Sequence, residues 1–148
     1  MISVLYSPAS HPIKNINNLP HIFDSIRKKW LQLTDEEWVR QNLIYYLIHQ
    51  LQYPETLIAV EKEFKLGVLS KRFDILVYDK NHQPWMLIEC KAASVPLTED
   101  VLQQVLEYGS TINAPYIIIS NGNFTYGWKK ENNKFEMIHL FPEFPIHY

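Results

Sequence analysis

Two apolar segments with charged residues near their ends constrain the fold of this chain most. They are residues 71–78 (KRFDILVY) and 86–91 (MLIECK), and a polar segment, 79–84 (DKNHQP), joins them. This pattern predicts two antiparallel strands connected by a turn. Side chains at positions i and i+2 share one face of a strand, so Glu89 and Lys91 point the same way and Cys90 points away from them. The hairpin is able to bring Asp74 beside this pair.

An arrangement of two carboxylates and a lysine has two interpretations. Asp74 and Glu89 repel each other, and a cation between them relieves the repulsion. Mg²⁺ favours such oxygen ligands together with waters and phosphate. Lys91 is then suited to orient or deprotonate a water, or to neutralise charge on a phosphate. In the alternative interpretation, Glu89 and Lys91 form an ordinary ion pair on a solvated strand.

The composition predicts one folded domain, over residues 1–148, rather than a disordered chain. Apolar residues make up 47% of the 148 residues and charged residues 20%, which is typical of globular proteins. No apolar run reaches the length of about 20 residues that a membrane helix needs. The N-terminal residues lack the pattern of a signal peptide, and there is a single cysteine. We therefore expect a cytoplasmic protein without membrane contact.

The net charge of −2 limits how the chain contacts nucleic acid. Proteins that bind nucleic acid over a wide surface are usually basic, so a contact here has to use a local patch. Four basic clusters are candidates, and each taken alone is more simply a solvated surface charge. The clusters are residues 27–29, Lys62 with Lys65, residues 71–72 and residues 129–130.

The order of elements predicts an α/β (α+β) fold, α-β-β-β-α-β with extra C-terminal strands. A capping box at residues 34–37 (TDEE) begins the first helix, which ends before Pro54. Thr98 begins the second helix, which ends near Gly109. The continuous apolar run at residues 115–120 predicts a strand buried on both faces. Residues 1–20 are rich in proline and asparagine, which predicts an irregular or edge-pairing arm.

The second helix adds two residues to the candidate site. Gln104 and Tyr108 are four positions apart, so they share one face of the helix. Tyr108 has an alternative role in the core beside Leu102 and Val105. Gln104 is harder to explain that way, because a buried amide without partners is costly. Both residues are therefore candidates for lining the site.

Together, these motifs resemble the PD-(D/E)XK nuclease superfamily. The resemblance rests on Asp74, on residues 89–91 (ECK), and on the Q-x-x-x-Y pattern of the second helix. It is greatest to the N-terminal nuclease domain of type I restriction enzyme R subunits and their small stand-alone relatives. Three further segments carry it, and it spans roughly residues 30–130 as the core. The segments are 36–41 (EEWVRQ), 113–116 (NAPY) and 120–122 (SNG).

The resemblance implies a restriction-endonuclease-like core, in which helices flank a central mixed sheet, and a DNA endonuclease dependent on Mg²⁺ or Mn²⁺. It implies that Asp74 and Glu89 bind the metal and that Lys91 is the catalytic lysine. It also implies that Gln104 and Tyr108 line the site or touch DNA. Many relatives place an acid of the first helix near the metal, and Glu37 is the best match, although its place in the capping box explains it equally well. Phe73 stands where the superfamily name has proline, a position that varies.

Two other functional interpretations remain open at the level of sequence. One is a nuclease-fold module with weak or no catalysis that binds DNA or protein and needs a partner. It is favoured because type I restriction subunits carry an ATP-driven motor, which 148 residues cannot hold, and because the chain is mildly acidic. The partner would be a restriction-modification or other recruiting protein, and an oligomer is possible. The other is a generic α+β domain, which predicts that Asp74, Glu89 and Lys91 lie apart.

Overall fold

The computed structural model describes residues 1–4, 6 and 10–145 of the chain. The described residues form two sheets and two helices, together with a short 3-10 helix at Glu55–Leu57. Within the predicted arm, residues 1–20, the segments 13–16 and 19–20 lie in paired strands, so the irregular interpretation is wrong there. Leu5 and residues 7–9 of that predicted arm lie outside the described residues.

The N-terminal sheet is antiparallel and has the strand order β1-β2-β3. Its strands are β1 (Ile13–Ile16), β2 (Leu19–Asp24) and β3 (Lys29–Gln32). Asn17 and Asn18 both have positive φ, 53° and 65°. Two such residues between paired strands are typical of a tight hairpin turn, and asparagine tolerates this conformation. The asparagine-rich run is therefore a turn between strands and not part of an irregular arm.

The second sheet has six strands in sequence order and is mixed, as predicted. Only β6 and β7 pair in parallel among the strands described, and the helix between them makes this crossover. The strands are β4 (Ile58–Leu66), β5 (Leu69–Tyr78), β6 (Pro84–Cys90), β7 (Tyr116–Ser120), β8 (Thr125–Glu131) and β9 (Lys134–Ile138).

The two helices begin at the predicted caps. They are α1 (Asp35–His49) and α2 (Glu99–Ser110). The Thr34 hydroxyl accepts a hydrogen bond from the Glu37 backbone N–H at 3.1 Å, and Thr98 caps α2 in the same way. The predicted order α-β-β-β-α-β with extra strands is confirmed, and so is the fold class. Neither helix of the described ranges has the length and apolar character needed to span a bilayer.

The helices pack on opposite faces of the six-stranded sheet. Ile118 of β7 belongs to the core cluster that contains Leu43 and Leu47 of α1. Its neighbours Ile117 and Ile119 pack with Val105 of α2. Successive side chains of a strand point to opposite faces, so β7 is buried on both sides, as predicted. The end of β6 and the adjacent part of β5 consequently lie between α1 on one face of the sheet and α2 on the other.

Candidate active site

A cavity of about 60 Å³ lies between the sheet and α2. Four residues that the sequence nominated line it, two from β6 and its end and two from α2. They are Glu89, Lys91, Gln104 and Tyr108. The remaining lining residues are Lys71 and Phe73 of β5 and Val101 and Val105 of α2. The residues of the E-x-K and Q-x-x-x-Y patterns therefore meet in one place.

The end of β6 sets the direction of these side chains. The Lys91 backbone N–H donates to the Ser120 carbonyl at 2.9 Å, which extends the parallel pairing of β6 and β7. Glu89 and Lys91 then both reach the α2 side, and Cys90 between them is fully buried in the α1-side core. Burial raises the pKa of the Cys90 thiol well above its usual value. A buried, protonated thiol is inert, as predicted for Cys90.

Glu89 is a buried carboxylate with an unused oxygen. The side chain is only 9% exposed, and its Oε1 has no hydrogen-bond partner among the described residues. Burial and, to a lesser extent, the negative charge of Asp74 raise the pKa of Glu89 to about 7, while Lys71 and Lys91 oppose the shift. Glu89 is therefore a carboxylate whose negative charge is incompletely compensated and whose Oε1 is without a partner in the described part of the chain.

Asp74 lies beside Glu89, but its carboxylate contacts the α1 side. Its Oδ1 accepts a hydrogen bond from Arg40 Nη2 at 2.6 Å, and its Oδ2 accepts one from the Cys90 backbone N–H at 2.8 Å. The regular pairing of β4 and β5 is interrupted here, because Glu61 has φ +54°. This irregularity explains why strand alternation alone does not predict which way Asp74 points.

Glu37 lies outside the cavity, contrary to the site-lining role that the sequence suggested. Its carboxylate binds Arg40 Nη1 at 2.6 Å and Arg27 Nη2 at 3.0 Å. It reaches Asp74 only through Arg40. Of the acids on α1, Glu36 has the closer electrostatic interaction with the site. Its pKa is raised by burial and by the negative charge of Asp74, and the positive charge of Lys91 opposes this shift.

The ion pairs of Arg27 and Arg40 are what sequence reasoning missed in this region. Arg27 belongs to a basic cluster that the sequence offered as a candidate nucleic-acid contact, but the structure pairs it with acids of its own chain. Arg27 pairs with three acids, Asp24, Glu37 and Glu61, and Arg40 pairs with four, Glu36, Glu37, Glu61 and Asp74. The sequence did hold a signal for Arg40, which follows Glu37 by three positions on one helix. It held none for Arg27, whose partners Glu37 and Glu61 are brought to it by the tertiary fold.

The residues present fit a divalent cation held by two carboxylates. Within the described ranges, no cluster of three or more His, Cys, Asp or Glu side chains is placed to bind a metal. Mg²⁺ does not need one, since it commonly takes one or two carboxylates and completes its shell with waters and substrate phosphate. Glu89 has an unused oxygen, and each oxygen of Asp74 accepts one hydrogen bond where it has capacity for two.

Sequence comparison assigns the family. Residues 35–142 match the profile described as "Type I restriction enzyme R protein N terminus (HSDR_N)". The chain belongs to this family, which confirms the predicted resemblance. The matched range contains both helices and all six strands of the mixed sheet, and it excludes the N-terminal sheet β1-β2-β3. No curated protein sequence matches the chain significantly.

Two solved structures show a distant similarity to the chain. One is a DUF820 protein from Anabaena variabilis ATCC 29413, proposed to be a nuclease. It is 13% identical, with a TM-score of 0.48 over 74% of this chain and 72% of that one. The other is the type IIG restriction endonuclease BpuSI, 17% identical, with a TM-score of 0.42 over 65% of this chain and 11% of that one. The family assignment itself rests on the sequence match.

Proposed function

We propose that this chain is a deoxyribonuclease domain that hydrolyses phosphodiester bonds with Mg²⁺ or Mn²⁺. The observation that carries the proposal is the convergence of Glu89, Lys91, Gln104 and Tyr108 on one cavity beside Asp74. This convergence occurs in a chain that belongs to a restriction enzyme family. The proposed substrate is DNA, and a restriction-modification protein is the proposed partner.

Each residue has a role in this proposal. Asp74 and Glu89 would hold the divalent ion, which when bound would lower the pKa of a water and polarise the scissile phosphate. Lys91 orients the water or balances negative charge that builds on the phosphate. Lys71, which also lines the cavity, places a second positive charge near the phosphate. Gln104 and Tyr108 contact the substrate strand from α2.

Nicking of supercoiled plasmid DNA in Mg²⁺ or Mn²⁺ tests this proposal. The wild-type chain is expected to nick the plasmid, and Asp74→Ala, Glu89→Gln and Lys91→Ala are each expected to abolish nicking. Glu136→Gln is the matched control, because it removes a carboxylate from an exposed position of β9. Nicking that survives in both Asp74→Ala and Lys91→Ala would refute the assignment.

A second candidate function is a nuclease-fold module that binds DNA or protein without robust catalysis. One observation favours it, namely that Arg40 already supplies a cation to Asp74 at 2.6 Å. An arginine in this position competes with a metal ion for Asp74 Oδ1. Under this alternative the wild-type chain binds duplex DNA or a partner subunit, does not nick plasmid, and takes up no divalent ion at Asp74 and Glu89.

A further inference from the structure

The hairpin formed by β4 and β5 joins two basic clusters that are separate in the sequence. Lys62 and Lys65 lie on β4, and Lys71 and Arg72 lie on β5. The pairing of Lys62 with Phe73, Phe64 with Lys71 and Lys65 with Ser70 places all four cations along one two-stranded arm. Each cluster taken separately is explained as a solvated surface, but together they give the arm two cations on each face, on a chain of net charge −2. By the strand pairing, Lys62 and Lys71 share one face, and Lys65 and Arg72 share the other.

These cations are available to an anionic partner. Lys62, Lys65 and Arg72 are exposed, and within the described part of the chain no acid lies within ion-pair distance of any of them. Three acids lie on the hairpin strands. Glu61 is bound to Arg27 at 2.9 Å and Asp74 to Arg40 at 2.6 Å, while the exposed Glu63 lies opposite Arg72 in the strand pairing. The arm therefore presents a net positive surface to solvent.

The tip of the arm is apolar and exposed. Val68 is fully exposed and Leu69 is 70% exposed, next to a turn at Gly67, where φ is +65°. Apolar side chains at the end of a cationic arm are suited to a DNA groove, since DNA-binding proteins insert such side chains between base steps while cations hold the phosphates.

The arm leads directly into the candidate active site. Lys71 stacks over the Tyr108 ring, 4.2 Å from its centre, and both Lys71 and Phe73 line the cavity that holds Glu89. The five residues from Leu69 to Phe73 span four steps, about 13 Å along the strand, so the tip and the cavity lie on one continuous strand.

We propose that the β4–β5 hairpin is a duplex DNA-binding arm. Lys62, Lys65 and Arg72 contact phosphates, and Val68 and Leu69 enter a groove. The arm directs the bound strand towards the cavity, and in this last respect the inference rests on the proposed nuclease function.

Duplex binding in EDTA tests the arm without involving cleavage. Fluorescence anisotropy with a labelled duplex is measured for wild type, for Lys65→Gln/Arg72→Gln, and for the control Lys129→Gln/Lys130→Gln on β8, towards the other edge of the sheet. The hairpin variant is expected to bind more than about tenfold more weakly at about 50 mM salt, and the slope of log K against log salt is expected to fall by about 2, as for two lost phosphate contacts. The control is expected to bind like wild type.

The apolar tip gives a second, independent readout. Val68→Ser/Leu69→Ser is expected to weaken duplex binding and to leave the salt slope unchanged, because no phosphate contact is lost. Both hairpin variants change only exposed residues, and equal urea midpoints would show that folding is intact. Equal losses in the hairpin and control pairs, or binding of anionic vesicles or single strands but not of duplex, would overturn the inference.

Failure of the arm and failure of the nuclease proposal are distinguishable. If the wild-type chain binds duplex through the hairpin but never nicks plasmid, the arm stands and the nuclease proposal fails. If the chain nicks plasmid and Lys65→Gln/Arg72→Gln binds duplex with wild-type affinity and slope, only the arm is refuted.

Discussion

The two carboxylates of the candidate site have opposite surroundings. On the α1 side, both oxygens of Asp74 have partners, the Arg40 guanidinium and the Cys90 backbone N–H. On the α2 side, one oxygen of Glu89 has none among the described residues, although the side chain is nearly as deeply buried as the core. Adjacent acids of one sheet thus differ in how their negative charge is compensated.

This difference separates acids whose charge is neutralised by ion pairs within the fold from an acid that is free to bind a proton or a cation. The acids on the α1 side are stabilised by Arg27 and Arg40 within the folded chain. Glu89 has only the more distant charges of Lys71 and Lys91 to offset its burial. A fully paired buried charge is costly to disrupt, whereas an unpaired one destabilises the fold until a proton or a cation reaches it. We therefore expect removal of a charge on the α1 side to lower the free energy of unfolding, and removal of the Glu89 charge on the α2 side to raise it.

The largest expected effect is a loss of stability in Arg40→Met, which removes the ion pairs of Arg40 on the α1 side. Arg40 is 6% exposed, and its loss leaves Asp74 without its charged partner and Glu37 with one arginine instead of two. Removing one partner of a buried ion pair costs about 3–5 kcal/mol, so the free energy of unfolding in urea is expected to fall by that amount. Arg40→Lys keeps the positive charge and is expected to lose less. A change below about 1 kcal/mol in Arg40→Met would contradict the account.

On the α2 side, loss of the negative charge of Glu89 is expected to raise the free energy of unfolding rather than lower it, which makes stability depend on pH. Because the pKa of Glu89 in the folded chain, about 7, lies above its ordinary value of 4.5, the folded state binds this proton more tightly than the unfolded state. Stability is therefore expected to fall as pH rises from about 4.5 to 7, by about 3 kcal/mol at most.

Glu89→Gln isolates this contribution. The variant lacks the ionising group, so at about pH 8 it is expected to be more stable than wild type by up to about 3 kcal/mol, and near pH 4 the two are expected to converge. Glu136→Gln, at an exposed position, is expected to follow the wild-type pH profile. A Glu89→Gln variant that loses stability at every pH would show that the ionised carboxylate is a stabilising group here.

A smaller effect is expected from Gly109→Ala, which alters the α2 side alone. A methyl group at this position would overlap the Ile117 side chain of β7, so either this buried side chain has to change its conformation or α2 has to move away from the sheet. Overpacking of this kind typically costs about 1–3 kcal/mol. Ser110→Ala, on the exposed side of the same helix, is the control and is expected to change little. Equal urea midpoints for both variants would show that the overlap with Ile117 is relieved without cost and would contradict this prediction.

The sequence predicted the six-stranded fold well because its signals are local. The caps at Thr34 and Thr98, the apolar run of β7 and the turn at residues 79–84 each act within a few residues. The convergence of Glu89 with Lys91 follows from strand alternation, and that of Gln104 with Tyr108 from helical periodicity. Their meeting in one cavity was expected from the family resemblance.

The parts that the sequence did not predict depend on contacts distant along the chain. Arg27 forms an ion pair with Glu61, which lies 34 positions away in the sequence, and no local sequence pattern predicts such a pair. The side chain of Asp74 follows an irregularity at Glu61, on the neighbouring strand. In the N-terminal sheet, the prolines favoured an irregular arm, but Asn17 and Asn18 form the turn of a hairpin.

Calorimetric titration of Mg²⁺ or Mn²⁺ into the chain at about pH 7 tests the central claim most directly. Because the pKa of Glu89 is raised to about 7, ion binding is expected to release part of a proton per ion, measured by repeating the titration in buffers of different ionisation enthalpy. Glu89→Gln and Asp74→Asn are expected to bind the ion far more weakly, and Glu136→Gln is expected to bind as wild type does. A wild-type chain that takes up no divalent ion, or a Glu89→Gln variant that binds it with the same affinity and proton release, would contradict the account.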